Sequence, residues 1–248
     1  MWWDWLVPDA STDSAPEDPA AVPAITARGL TVRGPWGPVY GPVDLDVPAA
    51  GVTVMVCPAG SGRTALSMTL AGRMRPTSGS LSVFGRTRAR DIFAVAALAG
   101  IDELDTVAES VTVGDLITEQ LRWDAPWYRL IRRADDDDLR RVCGPVFGEL
   151  PLPPRSEFVE ELTELDGLLL RIALANTRRP ALLVVGNLEQ VTSDANREVL
   201  VDRLVDLGRE QTVLTASVNG VAARPGLREI PVAGVSRAEL AGHQEGGA

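Results

Sequence analysis

Apolar and polar positions between residues 25 and 235 alternate in short runs that predict strands interleaved with helices, without internal repeats. Residues 26–33 and 39–47 read as two strands punctuated by Gly and Pro, near enough in sequence to pair antiparallel. Residues 52–56, Val-Thr-Val-Met-Val, form a continuous apolar run of the kind buried in a parallel sheet. A Gly-rich turn follows, then a helical stretch over 63–73. Residues 80–84, between Gly79 and Gly85, read as a strand, and 92–98 as a further apolar strand. Residues 112–150 read as helical, 168–177 as a helix and 181–185 as a buried strand. A helix over 196–207 and strands over 212–216 and 227–232 complete the series. Such alternation predicts an α/β fold with a mostly parallel, doubly wound sheet. In it, residues 52–56 are expected as a central strand flanked by 182–185, with Thr64 starting a helix.

Composition narrows the class. The chain has 248 residues, 45% of them apolar and 23% charged, ordinary values for a globular protein. Its net charge of −10 argues against a nucleic-acid partner, which needs a basic face, and against electrostatic docking on anionic lipid. All 24 basic residues are Arg, so guanidinium is the cation this chain uses. Two cysteines, Cys57 and Cys143, make no disulfide framework. With His243 as the single histidine, zinc-finger spacing is excluded and a His-based triad disfavoured. No apolar run approaches the ~18 residues of a membrane span. The four acids Asp135 to Asp138 precede Leu139-Arg140-Arg141 and read as a helix start, with acids at the positive end of the dipole. Residues 1–23 read as a disordered tail. It carries Trp2, Trp3 and Trp5, which either pack on their own domain or anchor the chain to a membrane-protein partner or the bilayer interface. Residues 236–248 read as a second tail.

The chemistry concentrates in Cys57-Pro58-Ala59-Gly60-Ser61-Gly62-Arg63-Thr64, followed by Ala65. The segment leaves an apolar strand and opens a helix, the setting of the phosphate-loop pattern G-x-x-x-x-G-K-[ST]. Cys57 stands at the first Gly and Arg63 at the Lys. Gly60 and Gly62 let backbone approach a phosphate, consecutive N–H groups at the helix start form an anion nest, and Thr64 can ligate Mg²⁺.

From about Ile25 to Val232 the chain resembles the nucleotide-binding domain of ATP-binding cassette (ABC) transporters. Besides the loop, residues 70–85 look like the segment that follows it in those domains, and 39–47 like the strand before it. Residues 110–116 resemble the start of their helical subdomain. Residues 171–175 and 179–185 resemble the signature helix and the strand after it. The resemblance implies a P-loop NTPase domain over 24–235, with a mostly parallel core sheet, an antiparallel β subdomain and a helical subdomain over about 103–178. It also implies ATP and Mg²⁺ as cofactors. The implied partners are an integral membrane subunit and/or a second ATP-binding cassette domain, and the implied location is cytoplasmic, peripheral to the membrane through that partner.

The family's catalytic positions are altered. Where its strand ends in an Asp that orients Mg²⁺ and a Glu that polarises water, this chain has Gly186 and Asn187, neither a carboxylate. Glu189, two positions on, is not expected to reach the same point. The Leu-Ser-Gly-Gly-Gln signature is replaced by residues 164–170, with Asp166 opposing a triphosphate. The switch histidine aligns with Val218, or with Ser217 if shifted by one. The family's Gln falls among Ile101-Asp102-Glu103, and its dimer-contact Asp at Ser193, with Asp194 adjacent. Arg63 keeps the charge of Lys in a larger, planar group. Ahead of the loop, Trp36 could stack an adenine or pack in the core or its turn, whereas Tyr40 faces the sheet. Trp123, Trp127 and Tyr128, interleaved with Arg122, Arg129, Arg132 and Arg133, have the composition of an interface; burial in the domain core is the alternative. Phosphoryl transfer depends on positioned charge and metal, so hydrolysis is expected to be impaired or absent. Two other readings stay open: a scaffold that keeps the fold without nucleotide, and a working ATPase with substituted residues. An unrelated phosphate-loop kinase does not explain the ordered segments.

Overall fold

The computed structural model describes residues 23–101 and 110–234. The tail expectations, and the alignment of the family's Gln onto Asp102 and Glu103, lie outside these residues.

Two sheets organise the chain. β1 (Pro23–Gly34), β2 (Gly37–Pro48) and β4 (Ser78–Val83) form an antiparallel sheet in the order β2-β1-β4. Five parallel strands form the second, in the order β5-β6-β7-β3-β8. They are β3 (Gly51–Val56), β5 (Ala96–Ala99), β6 (Leu182–Asn187), β7 (Thr212–Ser217) and β8 (Leu227–Pro231). The helices are α1 (Ser61–Leu70), α2 (Ala89–Phe93), α3 (Val113–Asp124), α4 (Asp136–Phe147), α5 (Glu164–Ala175) and α6 (Asp194–Gly208).

The continuous apolar runs have a structural cause. In β3, Val52 and Val54 face a core shared with α3 to α6, while Met55 faces the opposite core, shared with α1 and the antiparallel sheet. β6 divides likewise, Leu183 and Val185 to the first core and Leu182 and Val184 to the second. A strand covered on both faces gains burial from every residue, roughly 1.5–3 kcal/mol per large side chain, so no polar alternation survives.

Several expectations need correction. β3 and β6 share a sheet but are not neighbours, because β7 lies between them and pairs with both. The connection from β6 through α6 delivers β7 into that slot, where it exchanges hydrogen bonds with β3 along its whole length. Helix α1 begins at Ser61, three residues before Thr64, and α5 begins at Glu164, capped by Thr163. Ile92 and Phe93 close α2, whose N–H groups at Asp91 and Ile92 donate to the Arg88 carbonyl at 2.9 and 3.0 Å, so the strand starts only at Ala96. The stretch over 112–150 breaks between α3 and α4, since Ala125, preceding Pro126, is extended at φ −81°, ψ 151°. The acids open α4 as read from sequence. The Asp135 side chain accepts from the N–H groups of Asp137 and Asp138, and the Asp138 carboxylate accepts from the Asp135 N–H, a reciprocal cap.

Candidate nucleotide site

The site forms where the carboxyl ends of β3, β5, β6 and β7 meet the first turn of α1. Cys57 is buried, Pro58, Ala59 and Gly60 are exposed, and Gly62 and Ala65 are buried against the core. Gly60 precedes the helix at φ 156°, ψ 167°, a region essentially confined to glycine, and turns the chain out of β3 into α1. The loop is tied to β7 by the Cys57 N–H, which donates to the Ser217 carbonyl at 2.9 Å. Ser61, Gly62, Arg63 and Thr64 thus occupy the N-terminal turn of a ten-residue helix, whose dipole favours an anion; the Arg63 N–H donates to the Gly60 carbonyl at 3.1 Å.

Arg63 is 8% exposed, and its Nη1 lies 3.3 Å from Oε2 of Glu189. The other oxygen of that carboxylate accepts from Ser217 Oγ at 2.8 Å and from the Val218 N–H at 2.7 Å. Glu189, set aside on the sequence, therefore does enter the site. A single 3-10 turn, Leu188–Gln190, bends the chain back directly after β6 and carries it there. The signal available in sequence was its standing as the carboxylate nearest the end of β6.

The end of β6 is closed by backbone. A β-carbon on Gly186 would overlap the Gly100 carbonyl oxygen and the Gln190 amide nitrogen, and would stand 2.8 Å from the Gly100 carbonyl carbon. The Gln190 amide donates to that same carbonyl, and its oxygen accepts from Arg171 Nη2 at 3.3 Å. Thr215 Oγ1 donates to the Gly186 carbonyl at 2.6 Å. Between Arg63, Thr64, Ser67, Gly100, Gly186 and Asn187 there remains a void of about 20 Å³, room for about one water. Among the described residues, hydroxyls, an amide and the Arg63 guanidinium line it, but no carboxylate. Mg²⁺ is ordinarily held through one or two carboxylates with several waters retained, so the donors that the described residues offer here, and this space, do not fit it. Among the described residues, no group of three or more His, Cys, Asp or Glu is placed to hold a metal ion.

Comparisons with known proteins agree on the architecture. A putative ABC transporter ATP-binding protein from Pyrococcus furiosus superposes with a TM-score of 0.62 at 14% identity, covering 83% of this chain and 96% of that one. CbiO1 from Clostridium perfringens, part of the ABC transporter complex cbiONQ, gives a TM-score of 0.62 at 14% identity, covering 79% of each chain. The fold is that of an ABC transporter ATP-binding domain. In sequence, the cassette is 34% identical over 107 residues to the cytochrome c biogenesis ATP-binding export protein CcmA of Cupriavidus pinatubonensis, covering 43% of this chain and 46% of that protein. It is 32% identical over 122 residues to the hemin import ATP-binding protein HmuV of Nocardia farcinica, covering 46% of this chain and 41% of the relative. The chain thus spans less than half the length of these curated relatives. No family model matches it.

Elsewhere the cassette gives several expected contact positions local structural work. Asp166 sits in the first turn of α5, where its N–H donates to Thr163 Oγ1 at 3.1 Å and its carboxylate accepts from that hydroxyl at 2.7 Å. Ser193 caps α6, and Asp194 pairs with Arg197 at 2.7 Å. Val218 contributes a backbone N–H in place of an imidazole. Trp36 is 98% exposed at the tip of the β1–β2 hairpin, so packing within the core is excluded for it, whereas Tyr40 is buried as read. Core burial is likewise excluded for Trp123, Trp127 and Tyr128, which are exposed with Leu130 on α3 and the turn after it. Among the described residues no helix is long and apolar enough to cross a membrane.

Proposed function

We propose that this cassette is a subunit of a membrane transporter-type complex that binds ATP through residues 57–65 and hydrolyses it poorly or not at all. In this reading it sits at the cytoplasmic face through a partner, either an integral membrane subunit or a second cassette domain. The exposed aromatics Trp123, Trp127 and Tyr128, beside Arg129 and Arg178, supply the side-chain types that interfaces favour. Trp36 remains available to stack on a base.

The observation that carries the reading is the closed end of β6. Gly186 meets Gly100 backbone to backbone, and among the described residues the void beside Thr64 offers no carboxylate. With no carboxylate at positions 186 and 187, and with the Glu189 carboxylate engaged by Arg63, Ser217 and Val218, the positioned charge on which phosphoryl transfer depends is reduced in this reading. Phosphate affinity then comes from the N–H groups of residues 59–64, the helix dipole and the Arg63 guanidinium. We expect a dissociation constant for ATP in the roughly micromolar to millimolar range. EDTA should change it little, and Arg63→Ala should abolish binding. Isothermal titration and phosphate release under steady state test the two halves of the claim. Turnover well above background in protein cleared of contaminating ATPase would refute the second half.

A second reading, a cassette fold that binds no nucleotide, draws on one observation: the Arg63 charge is already met by Glu189. Absence of heat and of Trp fluorescence change at millimolar ATP would decide for it.

A further inference from the structure

We infer that Glu189 is an internal occupant of the phosphate loop, a carboxylate that holds the loop's cation and is displaced when a phosphate chain binds. The inference rests on the nucleotide-binding reading and concerns how that same site is regulated. Glu189 is held by three kinds of donor. These are the Arg63 guanidinium on the first turn of α1 at 3.3 Å, the Ser217 hydroxyl at the end of β7 at 2.8 Å and the Val218 N–H at 2.7 Å. Guanidinium, hydroxyl and backbone N–H together are a set that recognises a phosphate oxygen equally well. The carboxylate satisfies them from within the chain.

The pair is unequal in exposure. The Arg63 side chain is 10% exposed and that of Glu189 31%. A guanidinium so enclosed needs an anion close by, because a buried charge left without its partner is costly. Among the described residues, Glu189 is the acid within ion-pair distance of Arg63. A phosphate chain seated on α1 therefore competes with Glu189 for one cation, and the two anions repel each other while both are near it. Apparent affinity falls by the fraction of molecules in which Glu189 has let go. The Arg63 contact runs through Oε2 and the contacts to Ser217 and Val218 through Oε1, so the carboxylate can leave the cation while the turn after β6 stays tied to the end of β7.

Glu189→Gln isolates the charge. The amide oxygen can still accept from Ser217 and Val218, while the neutral amide no longer holds Arg63. Isothermal titration of the full chain with sodium tripolyphosphate and with ATP in EDTA should show both ligands binding about tenfold tighter in the variant. Denaturant titration checks that it is folded. Should the Gln variant not fold, Glu189→Asp serves, because the shorter side chain cannot span all three donors; a gain of about threefold is expected there. Equal affinity in parent and variant would overturn the internal occupant and leave the nucleotide reading intact. Weaker binding in the variant would mean that Glu189 helps to hold the ligand, which also overturns it. No binding of either ligand by either protein would remove the nucleotide reading and this inference with it.

Discussion

Gly186→Asp places at the end of β6 the carboxylate that the resemblance to ABC transporter domains calls for, and the structure predicts damage rather than repair. The new β-carbon would overlap the Gly100 carbonyl oxygen and stand 2.8 Å from its carbonyl carbon. These neighbours are backbone, so no change of rotamer relieves them. Gly100 is itself confined: its carbonyl accepts from Gln190, and Leu168 Cδ1 fills the space a β-carbon of its own would need. Overpacking of this kind costs roughly 1–3 kcal/mol. A carboxylate lodged beside the Gly100 carbonyl oxygen adds roughly 1–3 kcal/mol. The expected total is roughly 2–6 kcal/mol, or roughly 5–20 °C in Tm for a domain of this size. Gly186→Ala carries the steric part without the charge and should lose about half as much. Asn187→Glu, whose side chain is only half-buried, should cost less than about 1 kcal/mol. Guanidinium unfolding with a parallel thermal scan measures the losses, and phosphate release reports any gain of turnover. If Gly186→Asp proved as stable as the parent, or acquired Mg²⁺-dependent turnover, the packing of Gly100 on β6 would not be the constraint described here.

The remaining predictions concern stability and reactivity. Asp135→Ala removes the cap that accepts from the Asp137 and Asp138 N–H groups at 3.1 and 2.9 Å, and should cost about 1 kcal/mol in denaturant unfolding. Asp137→Ala, at an exposed position of the same turn, should change stability by less than about 0.5 kcal/mol. Burial pushes the Cys143 thiol up to about 12 from its ordinary value of 9.0, so at pH 8 it should resist alkylation in the native protein and react on unfolding, as read by peptide mass mapping. The same shift means that its contribution to stability is intact below about pH 9 and declines as pH rises towards about 12, because the unfolded chain then ionises more readily than the folded one.

The sequence by itself determined most of the element types and the strand-to-helix turn at residues 57–64. Strand β3 is legible because a strand covered on both faces must be apolar throughout, and α4 because Asp135 and Asp138 can cap only a helix that starts between them. The turn at Gly60 follows from a backbone conformation that other residues avoid. Those signals are local: each depends on neighbours within a few residues. Strand order was not local. That β7 separates β3 from β6 depends on which edges are free when α6 returns the chain to the sheet. The exposure of Trp123, Trp127 and Tyr128 was undetermined for a similar reason, since an aromatic next to Arg suits an interface and a core margin alike until the packing is known. The site divides the same way. The absence of carboxylates at Gly186 and Asn187 is written in the chain. What fills their place is not, because Gly100 lies 86 positions from Gly186, and Glu189 reaches Arg63 across 126. Only the folded sheet brings those backbones and charges within contact distance.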